Sequence, residues 1–134
     1  FTNPLKSTAR KVVGTINEVR QKAVRNQEPY YLYLSQVENR IWYEKAIKEQ
    51  KENLEDEFDN DKQELQFPDS VRLAKVWMQD SGIASEEKTT LWISKKGYME
   101  QTAILLSDDF DNTLSVQCNP FTDPMTVTDE FPPN

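Results

Sequence analysis

The first 28 residues carry a one-sided apolar pattern, and this pattern limits the possible folds more than any other feature of the chain. Its apolar residues recur at helical spacing, and at 100° per residue they fall within an arc of about 80°. They are Leu5, Ala9, Val12, Ile16, Val19 and Ala23, with Val13 and Val24 beside them. Pro4 suits a first helical turn, and Pro29 ends the helix because the residue before a proline avoids the helical conformation. The pattern predicts about 24 helical residues, a helix about 36 Å long.

After Pro29 the apolar period changes from helical to alternating. The runs YYLYL (30–34) and IWY (41–43) flank a turn at Val37–Arg40, which predicts a β-hairpin rich in aromatic residues. One face of this hairpin is expected to cover the helix stripe around Ile16–Val24. The candidates for that contact are Tyr31, Tyr33 and Tyr43.

Five more strand patterns follow Pro68: SVRLAKVWM, TTLWIS, TAILLS, TLSVQC and MTVTDE. Turn-forming residues separate them, and no helical pattern lies between them, which favours antiparallel pairing. The predicted fold is α+β, with a long N-terminal amphipathic helix (1–28) packed on antiparallel β-sheets of about seven strands in a globular body (29–134). Segment 44–66 is acidic and poor in apolar residues, so we expect a loop inserted between strands.

Composition excludes several classes of chemistry. The chain has no His, which removes Ser-His-Asp and Cys-His nucleophiles and the commonest zinc ligand, and it has one Cys, Cys118, in a strand pattern typical of a buried residue. Segment 108–112 (DDFDN) is rich in oxygen ligands, but it lacks the Gly and the Glu at position 12 of an EF-hand loop, and Asp and Asn are common in turns. We therefore predict no catalytic residue, no metal site and no cofactor.

Charge is unevenly distributed along the chain, whose net charge is −7. Residues 5–28 hold six basic residues against two acidic ones, so the remainder is strongly acidic. An acidic body argues against nucleic acid as a partner. The basic helix has two interpretations: a solvated face, which is the plainer one, or a contact with the acidic body of another copy.

The predicted helix is longer than the body that it covers. A compact body made from the other residues is about 25–30 Å across, so the first two turns of the helix are expected to overhang. Leu5, Ala9 and Val12 continue the apolar stripe into this overhang. Because an apolar stripe that outruns its own domain needs another surface for burial, we predict a subunit interface at these three residues.

Two stretches of the sequence resemble a known family. EVRQKAVRNQEPYYLYL is similar to the junction between helix and first strand in GspH/FimT-like minor pseudopilins of type II secretion systems. TTLWISKKGYMEQTAILLSDDFDNTLSVQCNPFTDPMTV resembles the C-terminal half of that family, although Asp123-Pro124 replaces the usual Gly of the last turn.

The resemblance implies the periplasmic domain of a single-pass bacterial inner-membrane protein, a non-catalytic subunit of the type IV pilin-like superfamily. Its partners would be other pseudopilin subunits in a short fibre, and its membrane anchor would lie upstream of Phe1. A type IV pilin or a major pseudopilin shares the same plan. The rival from a different class is a secreted carbohydrate-binding or hydrolytic β-domain. In that rival Trp42, Trp77 and Trp92 would stack on sugars, whereas their strand patterns favour packing in the core.

Overall fold

A computed structural model describes residues 3–47, 64–121 and 125–131. In this part of the chain one helix precedes nine strands. The helix α1 spans Pro4–Asn26. The strands are β1 (Tyr30–Ser35), β2 (Arg40–Lys45), β3 (Glu64–Gln66), β4 (Val71–Met78), β5 (Gly82–Ile83), β6 (Lys88–Ile93), β7 (Thr102–Asp108), β8 (Thr113–Cys118) and β9 (Thr126–Thr128).

Both ends of α1 are capped by local residues. The Asn3 side chain accepts hydrogen bonds from the backbone amides of Leu5 (3.0 Å) and Lys6 (3.3 Å), and Pro4 is the first helical residue. At the other end Gln27 takes a left-handed conformation with φ 53°, and the amide of Glu28 bonds the carbonyl of Ala23 at 3.1 Å. The helix therefore begins at Pro4 and ends shortly before Pro29, close to the boundaries predicted from these two prolines.

The strands form two antiparallel sheets. The first has the order β3-β2-β1-β6, and the second has the order β5-β4-β7-β8-β9. In the first sheet β1 is central, with Tyr33 opposite Trp42 on β2 and Thr90 on β6. Successive side chains of a strand point to opposite faces, so β1 directs Tyr30, Leu32 and Leu34 inward, where all three are buried.

Asn39 in the β1–β2 turn joins the two sheets. Its side-chain amide donates to the carbonyl of Val71 at 2.8 Å, and its side-chain oxygen accepts from the amide of Leu73 at 2.9 Å, both on β4. The backbone of Asn39 has φ 56°, a conformation that Asn tolerates better than most residues. Gln36 of the same turn donates to the carbonyl of Ala74 at 2.6 Å, where the pairing register of β4 shifts.

One hydrophobic core lies between the helix and the two sheets. It contains Leu5, Val12, Ile16, Val19 and Ala23 of α1 together with inward residues of both sheets. The predicted α+β fold with a helix packed on antiparallel sheets is confirmed; the sequence patterns miss two further strands, β3 and β5, which are three and two residues long. Val24 is 46% exposed, so the buried stripe ends at Ala23.

The predicted contact between hairpin and helix is confirmed for one of its three candidates. Tyr43 is buried in the core, and the Nζ atom of Lys22 lies 5.2 Å from the centre of its ring. Tyr31 and Tyr33 point to the opposite face of the sheet. Of the predicted loop 44–66, Glu44 and Lys45 belong to β2 and residues 64–66 form β3, while residues 48–63 lie outside the described residues.

Candidate assembly surfaces

The predicted overhang of the helix is wrong. Leu5, Ala9 and Val12 are 3%, 1% and 0% exposed, so the first turns of α1 are buried by the chain's own sheets. The stripe from Leu5 to Ala23 covers about 27 Å at 1.5 Å per residue, which a body of about 25–30 Å can cover completely. The interface predicted at these three residues stays a prediction, but the geometric argument for it is lost.

The exposed side of α1 carries the positive charge of the helix. Four exposed basic side chains form no ion pair with any other described residue: Lys6, Arg10, Lys11 and Arg25. Gly14 is exposed on the same side, and a Cβ atom built there would meet none of the described residues within 4 Å. We refer to Lys6, Arg10, Lys11 and Gly14 as the basic helix face.

A buried arginine holds two loops against the C-terminal half of the helix. Arg20 donates from Nε to the carbonyl of Gly97 (2.9 Å), from Nη1 to that of Asn119 (3.1 Å) and from Nη2 to that of Pro120 (2.9 Å). The rigid fork of a guanidinium reaches three carbonyls at once, which a lysine could not do. At 100° per residue Arg20 lies between Ile16 and Val13 on the apolar side of the helix, so the helical pattern held a signal for its burial that sequence reasoning missed.

The loops that Arg20 holds present a small apolar surface. Val24, Tyr98 and Phe121 are 46%, 41% and 82% exposed, and the rings of Tyr98 and Phe121 lie 5.1 Å apart. Gly97 permits this packing because its φ is 81° and a Cβ there would lie 3.0 Å from Cγ2 of Val24. This exposed surface is a second candidate for contact with a partner.

The outer face of the first sheet is lined with aromatic rings. Tyr31 lies against Trp92 with ring centres 5.4 Å apart, and Tyr33 stacks on Trp42 at 5.2 Å with an angle of 21° between the planes. The expected core packing of the tryptophans is wrong, since Trp92 is 49% exposed and Trp42 and Trp77 are only half-buried. A signal was available: Trp42 alternates with Ile41 and Tyr43, so it had to point away from the core.

Two rings of this aromatic face, those of Tyr33 and Trp42, are covered by cations as well as by each other. The guanidinium of Arg40 lies 4.0 Å from the Trp42 ring centre, and Lys88 Nζ lies 4.9 Å from that of Tyr33. Tyr33 also donates a hydrogen bond to Oε1 of Glu44 at 2.7 Å, and burial together with this bond raises the pKa of Tyr33 to about 12. Because the rings of Tyr33 and Trp42 are covered by each other and by cations, a sugar cannot stack on them.

The oxygen-rich loop at 108–112 is organised around its own backbone. The Asp108 carboxylate accepts from the amides of Phe110 (2.9 Å) and Asn112 (3.0 Å) and from the Asn112 side chain (3.1 Å). Desolvation raises the pKa of Asp108, but these hydrogen bonds outweigh it and the net pKa is lowered. The Asp108 carboxylate therefore caps its own turn. The described residues hold no group of three or more potential metal ligands.

Cys118 is fully buried, as its strand pattern predicts. Its sulfur lies 3.5 Å from that of Met125, and burial raises the pKa of the thiol to about 12, although the charge of Arg20 lowers it in part. Since the thiolate is the reactive form, this cysteine is a core residue and not a nucleophile. No helix in the described part of the chain is both long and apolar enough to cross a membrane.

Known proteins resemble this chain in structure and not in sequence. No family model and no curated protein sequence matches the chain. A solved structure of the minor pseudopilin EpsH from the type 2 secretion system of Vibrio cholerae superimposes with a TM-score of 0.68, covering 94% of this chain and 96% of EpsH at 7% identity. The chain has a GspH-like pseudopilin fold. A second structure of EpsH gives a TM-score of 0.61 with 92% and 95% coverage, also at 7% identity, so the pseudopilin fold does not rest on one superposition.

Proposed function

We propose that this protein is a minor pseudopilin, a non-catalytic subunit of the type II secretion pseudopilus that supports protein export across the outer membrane. The observation that carries the proposal is the superposition on EpsH over almost the whole length of both chains. It includes the long N-terminal helix, which packs on strands of both sheets. On this proposal the domain lies on the periplasmic side of the inner membrane, and its partners are other pseudopilin subunits.

The surfaces of the molecule support an assembly role better than a catalytic one. Cys118 has a raised pKa in the core, and the Asp108 carboxylate is used by its own turn. The exposed features are a basic helix face, an apolar surface around Phe121 and an aromatic sheet face, all of which suit contact with proteins. The carbohydrate-binding rival is disfavoured because the rings of Tyr33 and Trp42 are covered by each other and by cations.

The experiment is a deletion and complementation test in the native organism. The gene for the full-length protein is removed, and secreted proteins are compared between culture supernatant and periplasm. We expect the deletion to trap type II substrates in the periplasm, and the restored wild-type gene to release them. Secretion at the wild-type level in the deletion strain would contradict the proposal, as would a secretion defect shared by proteins that leave the cell by other systems.

A further inference from the structure

Two charges on the basic helix face oppose the stability of the helix that carries them. Lys6 is the third helical residue after the cap Asn3, where the positive end of the helix dipole disfavours a cation, and the first turn contains no acidic residue. Arg10 follows one turn later, and like charges four residues apart repel each other. Neither side chain forms an ion pair with another described residue, so no contact within the described fold compensates for these costs.

Gly14 continues the same row, and no contact among the described residues explains why this position is a glycine. It lies in the interior of α1, where glycine is less stable than alanine because it loses more backbone freedom on folding. A Cβ atom at Gly14 would meet no described residue within 4 Å, whereas a Cβ at Gly97 would press on Val24 at 3.0 Å. Packing among the described residues therefore requires a glycine at position 97 and not at position 14.

The three positions lie together in space. Lys6, Arg10 and Gly14 are spaced by four residues, so they form one row along the exposed side of the helix, about 12 Å long at 1.5 Å per residue. Lys11 lies beside this row and is also exposed and unpaired among the described residues. The row therefore combines uncompensated positive charge with a point at which the helix backbone is uncovered.

We propose that the basic helix face docks onto a carboxylate-bearing surface of a neighbouring protein subunit, with Gly14 at the point of closest approach. This inference rests on the proposed assembly function and names the chemistry of the partner surface. Departures from local stability rules are expected where a protein binds something else. The positive charge of the face favours an acidic partner. The space left by the missing Cβ of Gly14 favours a packed protein surface, because fluid lipid headgroups do not need a space of that size to approach the helix.

Purified domains test whether the face is dispensable for folding. We expect Gly14→Ala to raise the midpoint of thermal unfolding by about 4 °C, since alanine favours the helix. Lys6→Glu with Arg10→Glu should leave the midpoint at or above the wild-type value, because the helix N-terminus favours an acid. The matched control is Lys75→Glu with Lys95→Glu, the same charge change at two exposed lysines that form no ion pair with another described residue. A fall in the midpoint for the Gly14 or Lys6/Arg10 variants but not the control would overturn the proposal, because the face would then be structural.

Full-length variants in the native organism test the docking itself. A photo-crosslinking amino acid at Arg10 should form an adduct with an acidic segment of another pilus subunit, and the same amino acid at Lys75 should not. Lys6→Glu with Arg10→Glu, and separately Gly14→Gln, should reduce secretion at least about tenfold, since like charges or added bulk at an interface cost several times the thermal energy. The Lys75→Glu and Lys95→Glu control should secrete normally. Changing the crosslinked carboxylates to lysine should restore secretion to the Glu variant.

The outcomes separate this inference from the proposed function. If deletion of the gene leaves secretion intact, the proposed function fails and the inference falls with it. If deletion abolishes secretion but both face variants support it normally, the inference alone is wrong. Crosslinks from Arg10 to lipid, or no crosslink above the Lys75 level, would likewise overturn it.

Discussion

Single residues hold this molecule together at points where the helix meets its loops. Arg20 is the clearest case, because one guanidinium satisfies three carbonyls of two separate loops. Its charge also acts on the Cys118 thiol in the core. Burial of a cation is tolerated when hydrogen bonds replace its hydration, and the two loops supply three carbonyls for this purpose.

Replacing Arg20 should destabilise the domain strongly. We expect Arg20→Met to lower the free energy of unfolding by about 3 kcal/mol, because carbonyls that accepted charged hydrogen bonds lose their donors. Arg20→Lys should fall between Met and wild type, since an ammonium group cannot span the three acceptors. Urea unfolding measures both changes. The exposed Arg25→Met is the control and should change stability by less than about 0.5 kcal/mol. Equal losses of stability at Arg20 and Arg25 would show that the three hydrogen bonds of Arg20 do not stabilise the domain.

The buried thiol should make stability fall at alkaline pH. Burial raises the pKa of Cys118 from 9.0 to about 12, so above pH 9 the unfolded chain loses this proton while the folded chain keeps it. Stability is therefore full below pH 9 and decreases as pH rises, by about 1.4 kcal/mol between pH 8 and pH 10 from this group. Urea titrations of wild type and Cys118→Val at both pH values give the contribution by difference. An identical pH slope in the two proteins would contradict it.

At the scale of elements, the β1–β2 hairpin carries four of the five tyrosines and one of the three tryptophans, and it divides them between two environments. Tyr30 and Tyr43 are buried in the core with ring centres 5.9 Å apart, while Tyr33 and Trp42 stack on the outer face. The register of the hairpin places Tyr33 opposite Trp42, and cross-strand aromatic pairs of this kind stabilise a sheet. The turn of the same hairpin, through Asn39, attaches the first sheet to the second.

Asn39 should be needed for both its conformation and its hydrogen bonds. Asn39→Ala loses two bonds and places an alanine at φ 56°, so we expect a loss of about 3 kcal/mol. Asn39→Gly loses the bonds but not the conformation and should lose about 2 kcal/mol. Asp111 in the β7–β8 turn also has a positive φ, 62°, and is exposed, so Asp111→Gly should not destabilise. Chemical denaturation distinguishes the cases; equal losses for Ala and Gly at Asn39 would show that the backbone conformation has no cost.

At the scale of the whole molecule, the helix supplies one wall of the core, so we expect the helix and the sheets to fold as one unit. Its stripe lies in the same buried cluster as inward residues of both sheets. Burial of a large aliphatic side chain contributes about 1.5–3 kcal/mol. The four largest residues of the stripe, Leu5, Val12, Ile16 and Val19, therefore contribute about 6–12 kcal/mol, which is comparable with the entire net stability of a typical domain.

A fragment of residues 29–134 should consequently not fold. We expect it to lack the dispersed amide spectrum and the cooperative thermal transition of the full chain, since both sheets would expose the faces that the helix covers. Adding a synthetic peptide of residues 1–28 should restore the dispersed spectrum. A fragment that unfolds cooperatively without the peptide would show that the helix is an addition to an independent body.

The order of the elements follows from local periodicity, and the sequence determined it. The stripe from Leu5 to Ala23, the proline boundaries and the alternation after Pro29 each report a backbone conformation that depends on nearby residues alone. The resemblance carried by the helix–strand junction named the fold that the superposition on EpsH later confirmed. Cys118 could be assigned to the core because its own strand alternates.

The tertiary structure alone decided what each surface faces. Leu5 is buried in the core that the helix shares with both sheets, although the estimated size of the body favoured an overhang. Arg20 and Arg10 have the same chemistry in sequence, yet one is buried among the carbonyls of distant loops and the other is exposed. Gly14 is exposed, whereas a Cβ at Gly97 would meet Val24. A local pattern separates the faces of an element, but what packs against each face comes from elsewhere in the chain.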